Sequence, residues 1–405
     1  MKKILTIVKN NPRVLFLATF FAFFCLIGPT FGQAPDSTEI QKKKEKKWHL
    51  RGYVKEMITL NITDDSTTLD NLIHNRLNFK WYPNDHFNFY FEVRNRIFSG
   101  DMVSSIPNYE RQVDSNNDYF DMSVQKSMGS SVLFQSMIDR AFVEWYNEKW
   151  EARLGRQRIN WGINLVWNPN DLFNTYSYFD FDYEERPGSD ALRIKRYTGF
   201  ASSIEMAASY NDDFDQTVIS GMWKLNRWGY DFQFLGGKAR EDVALGFGWA
   251  GNVKNAGFKG EVTWLSPYVD NGDERVLLSS LSLDYSFENS LYLNGSFLFN
   301  SDGSDDQFLG AAVGVPRQLT VRSLSPFKYS TFLQVSYNFH PLINGGLATI
   351  YYPGERDALF LNPNFTFSLK PNLDLNLIAQ FYFDEFLGTY EPLARLIYLR
   401  LKWSF

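Results

Sequence analysis

The stretch Leu393-Ala394-Arg395-Leu396-Ile397-Tyr398-Leu399-Arg400-Leu401-Lys402-Trp403-Ser404-Phe405 ends this 405-residue sequence and decides its fold. From Ile397 onward it alternates. Ile397, Leu399, Leu401, Trp403 and Phe405 share one face, and Tyr398, Arg400, Lys402 and Ser404 share the other. Side chains of a strand point to opposite faces in turn, so this segment presents one side to hydrocarbon and one to water. That is the unit of a transmembrane β-barrel. About eighteen segments of this character lie between residues 47 and 405, which predicts an all-β, antiparallel barrel of about 18 strands. A soluble β-sandwich is the competing reading, since its strands also alternate.

The connections favour the barrel. Tight turns rich in Asn, Gly, Pro and Asp fall at 83–85, 147–149, 227–229, 254–257, 288–290, 340–341 and 370–372. Between them lie mostly longer, often acidic connections at 61–70, 99–135, 158–189, 211–215, 267–274, 302–325 and 385–392. Short turns at one rim and long loops at the other are the asymmetry of an outer-membrane barrel. Trp48, Trp81, Trp145, Trp150, Trp223, Trp228 and Trp403 cluster beside the short turns, as amphipathic rings do at a membrane boundary.

The amino-terminal end agrees. Lys2, Lys3, Lys9 and Arg13 precede the apolar run 14–27, and Thr30-Phe31-Gly32 supplies the small residues of a cleavage site. The expected organisation is a signal peptide at 1–32, a basic periplasmic leader at 33–46 and a barrel at 47–405. The alternative, one anchoring helix, needs an apolar run of about 20 residues. Cys25 is the chain's one cysteine, and its loss with the signal would exclude disulfides and thiol chemistry from the mature protein. Loss of four cations and no acid takes the formal charge from −5 to −9, which argues against nucleic acid as a partner.

Because charge at mid-depth in lipid costs about 2–4 kcal/mol for Arg or Lys, the charged face of each strand is assigned to the lumen. That places Arg51 and Lys55 inside from the first strand, and Arg76 and Lys80 from the second. Arg94 and Arg96 follow from the third, then Arg140, Arg153, and Arg193 with Lys195, with Arg400 closing the circuit. Later strands line the lumen with neutral groups such as Asn294, Ser296, Asn362, Asn376 and Gln380. Two readings of the basic wall remain open: a ladder that draws anionic solutes, or one side of a set of ion pairs that braces a wide barrel.

Loop 158–189 is too apolar to be freely solvated. It opens Arg158-Ile159-Asn160-Trp161-Gly162-Ile163-Asn164-Leu165-Val166-Trp167 and continues Asn168-Pro169-Asn170-Asp171-Leu172-Phe173. A loop of this kind, the third external one, is expected either to fold inward and constrict the lumen or to pack along its wall. Gly155-Arg156-Gln157, Trp161-Gly162 and Asn168-Pro169 with Asp171 resemble a GRQ…WG…NP.D pattern of a porin-like outer-membrane family, and the layout is similar to alginate-export-type barrels. The aromatic carboxy-terminal strand likewise resembles the insertion signal of outer-membrane proteins, read by the barrel-assembly machinery. The resemblance implies a constriction loop involving Arg156, Gln157, Arg158, Trp161, Asn168 and Asp171. It implies a bacterial outer-membrane channel for small hydrophilic solutes; a preference for anions follows only from the ladder reading of the basic wall. Polysaccharide export and a surface adhesin stand as alternatives.

No enzyme chemistry and no cofactor is expected. His49, His74, His86 and His340 lie on separate strands or turns without metal-ligand spacing, and His74 with Asp70 is the nearest approach to a catalytic pair. The acidic clusters 64–65, 212–213 and 302–306 read as solvated loops rather than calcium sites.

Overall fold

A computed structural model describes residues 46–405 apart from 115–117, 179, 270–273, 306–318 and 387. The expected signal peptide and residues 33–45 of the leader lie outside the described residues.

The strands are β1 (Trp48–Ile62), β2 (Thr67–Asn84), β3 (Phe87–Gly100), β4 (Ser123–Ser127), β5 (Val132–Tyr146), β6 (Trp150–Gln157), β7 (Ser189–Tyr197), β8 (Ser203–Ser209), β9 (Val218–Arg227) and β10 (Tyr230–Ala239). They continue as β11 (Asp242–Val253), β12 (Ala256–Pro267), β13 (Val276–Ser286), β14 (Leu291–Asn300), β15 (Tyr329–His340), β16 (Ile343–Tyr352), β17 (Ala358–Lys370), β18 (Leu373–Phe386) and β19 (Thr389–Ser404). Every pairing is antiparallel between chain neighbours except that β3 pairs with β5, and β19 returns to β1. Eighteen strands therefore close the barrel. The nineteenth, β4, pairs only with β5, above the stretch of β5 that pairs with β6. Closure is completed at the carboxy-terminus, where the backbones of Phe405 and Gly52 exchange bonds of 2.9 and 3.0 Å.

The short turns fall where expected. At one of them Trp228 and Gly229 both take positive φ (55° and 78°), the primed-turn geometry that matches strand twist. Two of the expected longer loops shrink: β1 and β2 leave only 63–66 between them, and β18 and β19 leave 387–388. Beyond the hydrocarbon band both faces of a strand are wet, so alternation fades while the backbone ladder continues. Loop two, between β3 and β5, holds among its described residues two one-turn helices, α1 (Asp101–Ser105) and α2 (Tyr109–Val113), which carry no apolar periodicity long enough to read.

One irregularity resets the lumen. Glu92 faces Arg140 but Val93 faces Ile138, so Asp139 is the extra residue of a β-bulge. Asp139 is fully buried against Arg76 and Arg94, and Arg140 also reaches lumenal loop atoms. Beyond the bulge the inward positions become Met137, Gln135 and Leu133, all buried.

Candidate functional site: a strap across the lumen

Loop three, residues 158–188, crosses the barrel interior and is fixed to two opposite parts of the wall. Its front half is held by neutral groups and two carboxylates, Glu261 and Glu205. Glu261 on β12 accepts from the backbone N–H groups of Ile163 (2.5 Å), Asn164 (3.0 Å) and Asn170 (2.8 Å). A carboxylate that gathers three backbone donors fixes a loop strongly, because each donor would otherwise be buried without a partner. The side chains repeat the message. Asn164 Nδ2 donates to Ser280 Oγ (3.0 Å), Thr263 Oγ1 to Asn170 Oδ1 (2.7 Å) and Asn170 Nδ2 to the Phe247 carbonyl (3.1 Å). Trp161 Nε1 donates to Glu205 at 2.6 Å, and Gln233 donates to the Trp161 carbonyl at 2.8 Å.

Two glycines on β11 make room for this. A Cβ on Gly246 would stand 2.5 Å from Asn170 Oδ1, and one on Gly248 would stand 2.9 Å from the Ile163 side chain. Within the loop, a Cβ on Gly162 would stand 2.4 Å from Asn168 Oδ1, which ties the Trp-Gly and Asn-Pro parts of the motif to one another. Ile159, Trp161, Val166, Trp167, Leu172 and Phe173 then join the inward apolar residues of β7–β19 in one buried cluster. Trp167 and Tyr178 meet Phe332 of β15 edge-on, at 6.4 and 5.0 Å.

The rear half, Asp180 to Arg186, is held by charge. Asp182 sits 2.8 Å from Lys55 Nζ and 3.0 Å from His74 Nδ1, and Arg400 stands 3.6 Å away. Glu184 binds Lys402 at 2.7 Å. Glu185 accepts from Tyr53 (3.1 Å) and stands 3.5 Å from Arg76, while Tyr183 donates to Asp139 (3.0 Å) under the Arg94 guanidinium (3.8 Å from its ring). Arg140 donates to the carbonyls of Glu185 (2.9 Å) and Arg186 (2.8 Å). Phe181 packs edge-on against Tyr398 of β19.

The two halves differ in ionisation as well. Burial pushes the Asp171 carboxyl up to about 7, against a modest opposing pull from Arg158. Asp182 is also buried, yet Lys55 and His74 hold it well below the usual carboxylate range.

These positions revise several sequence expectations. Lys55, Arg76, Arg94, Arg96, Arg140, Arg153, Arg193 and Arg400 all contact other protein groups, so most of these side chains are not free to act on a solute. Arg76 is bound by Asp139 and by Glu92 (2.6 Å), Arg153 by Glu144 (2.7 Å) and Glu151 (3.1 Å), and Arg193 by Glu205 (2.7 Å). Arg96 donates to Gln135 and to the Val113 carbonyl. No ion pair is present for Arg51, Lys80 and Lys195 among the described residues; Lys80 and Lys195 lie over tyrosine rings instead.

In the motif, Arg156 and Gln157 belong to β6 rather than to the loop. Arg156 grips Asp190 (2.8 Å) and the Phe120 carbonyl, tying loop two to β7, and Gln157 donates to the Ala191 carbonyl (3.0 Å). Trp161, Asn168 and Asp171 are buried and shape the strap from within instead of edging an opening. Arg158 lies over the Tyr176 ring. Reading from sequence alone missed Asp139, Glu205, Glu261 and the acidic run Asp180-Phe181-Asp182-Tyr183-Glu184-Glu185. That run faces a wall already read as basic, so charge complementarity was the available signal.

No family model matches the sequence and no curated protein matches it. Solved structures match the fold. OccAB4 of Acinetobacter baumannii is 9% identical with a TM-score of 0.57, over 90% of this chain and 100% of that one. The outer membrane protein OprD of Pseudomonas aeruginosa is 9% identical with a TM-score of 0.54, over 89% of this chain and 93% of that one. Pseudomonas aeruginosa OpdQ is 10% identical with a TM-score of 0.54, over 89% and 99%. At these identities the likeness is one of fold: a closed transmembrane barrel that accounts for nearly the whole of each chain.

Proposed function

We propose that this protein is a porin-like barrel of a bacterial outer membrane through which small hydrophilic solutes diffuse passively, with loop 158–188 as its constriction. The observation that carries the reading is the strap itself, fixed to β8–β13 at its front and to β19, β1, β2 and β5 at its rear. A barrel lumen crossed by an anchored loop selects by size first. The likeness to outer-membrane barrels supports the location, and the aromatic carboxy-terminal strand would serve the assembly machinery. Residues 1–32 would be removed as a signal, leaving 33–46 as a periplasmic leader.

Charge selection is a secondary property in this reading. The basic wall is largely neutralised by Asp139, Asp182, Glu184 and Glu185, together with Glu92, Glu144, Glu151 and Glu205. Arg51, Lys80 and Lys195 remain as the local positive field at the short-turn end, giving a weak preference for anions. Polysaccharide export, which the alginate-type resemblance implies, is not favoured, because a strap fixed at both ends opposes passage of a polymer.

The test is planar-bilayer conductance of the refolded chain with reversal potential under a salt gradient. The reading predicts stable conductance with weak anion preference that vanishes in Arg51→Ala with Lys80→Ala and Lys195→Ala. A folded barrel that conducts nothing would overturn it.

A further inference from the structure

The outer surface of the barrel is not uniform. On β9 to β19 the outward positions are strongly apolar, with Trp223, Phe234, Leu245, Leu281, Leu333 and Leu377 all exposed. On β2, β3 and β5 the same face carries a polar row. Asn75, Asn95 and Ser136 are direct cross-strand neighbours, and each has the parity opposite to the lumenal residues His74, Arg76, Arg94 and Gln135. Ser136 Oγ donates to Asn95 Oδ1 (2.7 Å), Asn95 Nδ2 to Asn75 Oδ1 (3.1 Å) and Asn75 Nδ2 to the Tyr53 carbonyl (3.1 Å). Nearer the loop rim, Asn71 donates to Glu56 (3.1 Å), also at outward parity.

The row lies at mid-height. Asn75 is the ninth of the eighteen residues of β2, so neither end of the strand can bring it to a headgroup. Hydrocarbon offers no partner for polar groups, and polar side chains at this depth normally face other protein. These bonds use one N–H of each amide, and among the described residues no partner takes the second N–H of Asn75 or of Asn95.

We propose that the outer face of β1, β2, β3 and β5 is a contact surface for a second copy of this chain. An amide both donates and accepts, so two copies of the row complement each other without needing a partner of different composition. Four strands about 4.8 Å apart under an apolar band about 25 Å tall give roughly 500 Å² per copy. Two such faces hide about 1,000 Å², the lower end of specific interfaces. Leu77, Phe79 and Phe91, exposed on the same face, supply its apolar part.

Cysteine cross-linking in native membranes tests this. Cys25→Ser removes the chain's one cysteine. Leu77→Cys would then report on the proposed face and Leu281→Cys on the apolar surface of β13. Oxidation should join Leu77→Cys into a species of twice the chain mass and leave Leu281→Cys single. Adding Asn75→Leu and Asn95→Leu should cut the joined fraction at least tenfold, while the heat-sensitive gel shift shows a folded barrel. Equal joining at both positions, joining to a partner of another mass, no joining, or joining unchanged by the leucines would each overturn the proposal.

Discussion

The front and rear halves of the strap do the same mechanical job with opposite chemistry. Residues 159–174 are held by backbone N–H groups on Glu261, by amides and hydroxyls, and by an apolar cluster. Residues 180–186 are held by ion pairs to Lys55, Arg76, Arg400 and Lys402 and by a hydrogen bond between Asp182 and His74. The difference follows from the walls. One side of the lumen is neutral and has glycines that admit a loop closely; the other is basic and wide enough to accept three carboxylates. A basic wall read alone suggests a ladder for anions. Read with the loop that occupies it, it is one half of an ion-pair network.

The largest effect should come from breaking the network at its centre. Asp139→Ala leaves Arg76 and Arg94 buried without their shared carboxylate and should cost about 3–5 kcal/mol in urea unfolding. The front half should yield next to added volume. Gly246→Val should displace Asn170 and cost about 1–3 kcal/mol by overpacking, with raised conductance, whereas the same change at the lipid-facing Gly295, where a Cβ meets nothing within 4 Å, should not alter conductance.

The rear half alone should answer to charge and salt. Asp182→Asn with Glu184→Gln uncovers Lys55, Arg400 and Lys402, so reversal potentials should move toward stronger anion selectivity, and loosening by high salt should disappear. The smallest effect should separate the halves by pH. The folded Asp171 carboxyl titrates near 7, above its unfolded value of about 3.9. Its favourable protonated state is therefore fully present below about pH 4 and its contribution is lost as pH rises through 7. Asp182 has the opposite sign: its contribution is present above about pH 4 and lost on acidification. Asp171→Asn should therefore slow proteolysis of the loop at pH 8 and change little at pH 5. Arg158 and Glu261, the charged groups facing Asp171, remain in place in that variant.

Much of this was legible in the sequence. Alternation marked nearly every strand of the closed barrel, and the turn residues placed the short connections. What it did not give has physical causes. In Ile138-Asp139-Arg140-Ala141 a bulge lets adjacent residues both face inward, and period-two reading cannot anticipate where a strand gains a residue. The motif residues Trp161, Asn168 and Asp171 were visible, but whether they edge an opening or fill the strap depends on burial. Glu261 and Gly246 acquire meaning only when a loop far away in sequence arrives beside them.

Single-channel conductance of the refolded chain, compared with a variant in which 160–186 is replaced by a short Gly-Ser linker, tests the central claim most directly. If the strap sets the bore, the shortened variant conducts several-fold more and loses most of its size cut-off. Equal conductance from two properly folded barrels would contradict it.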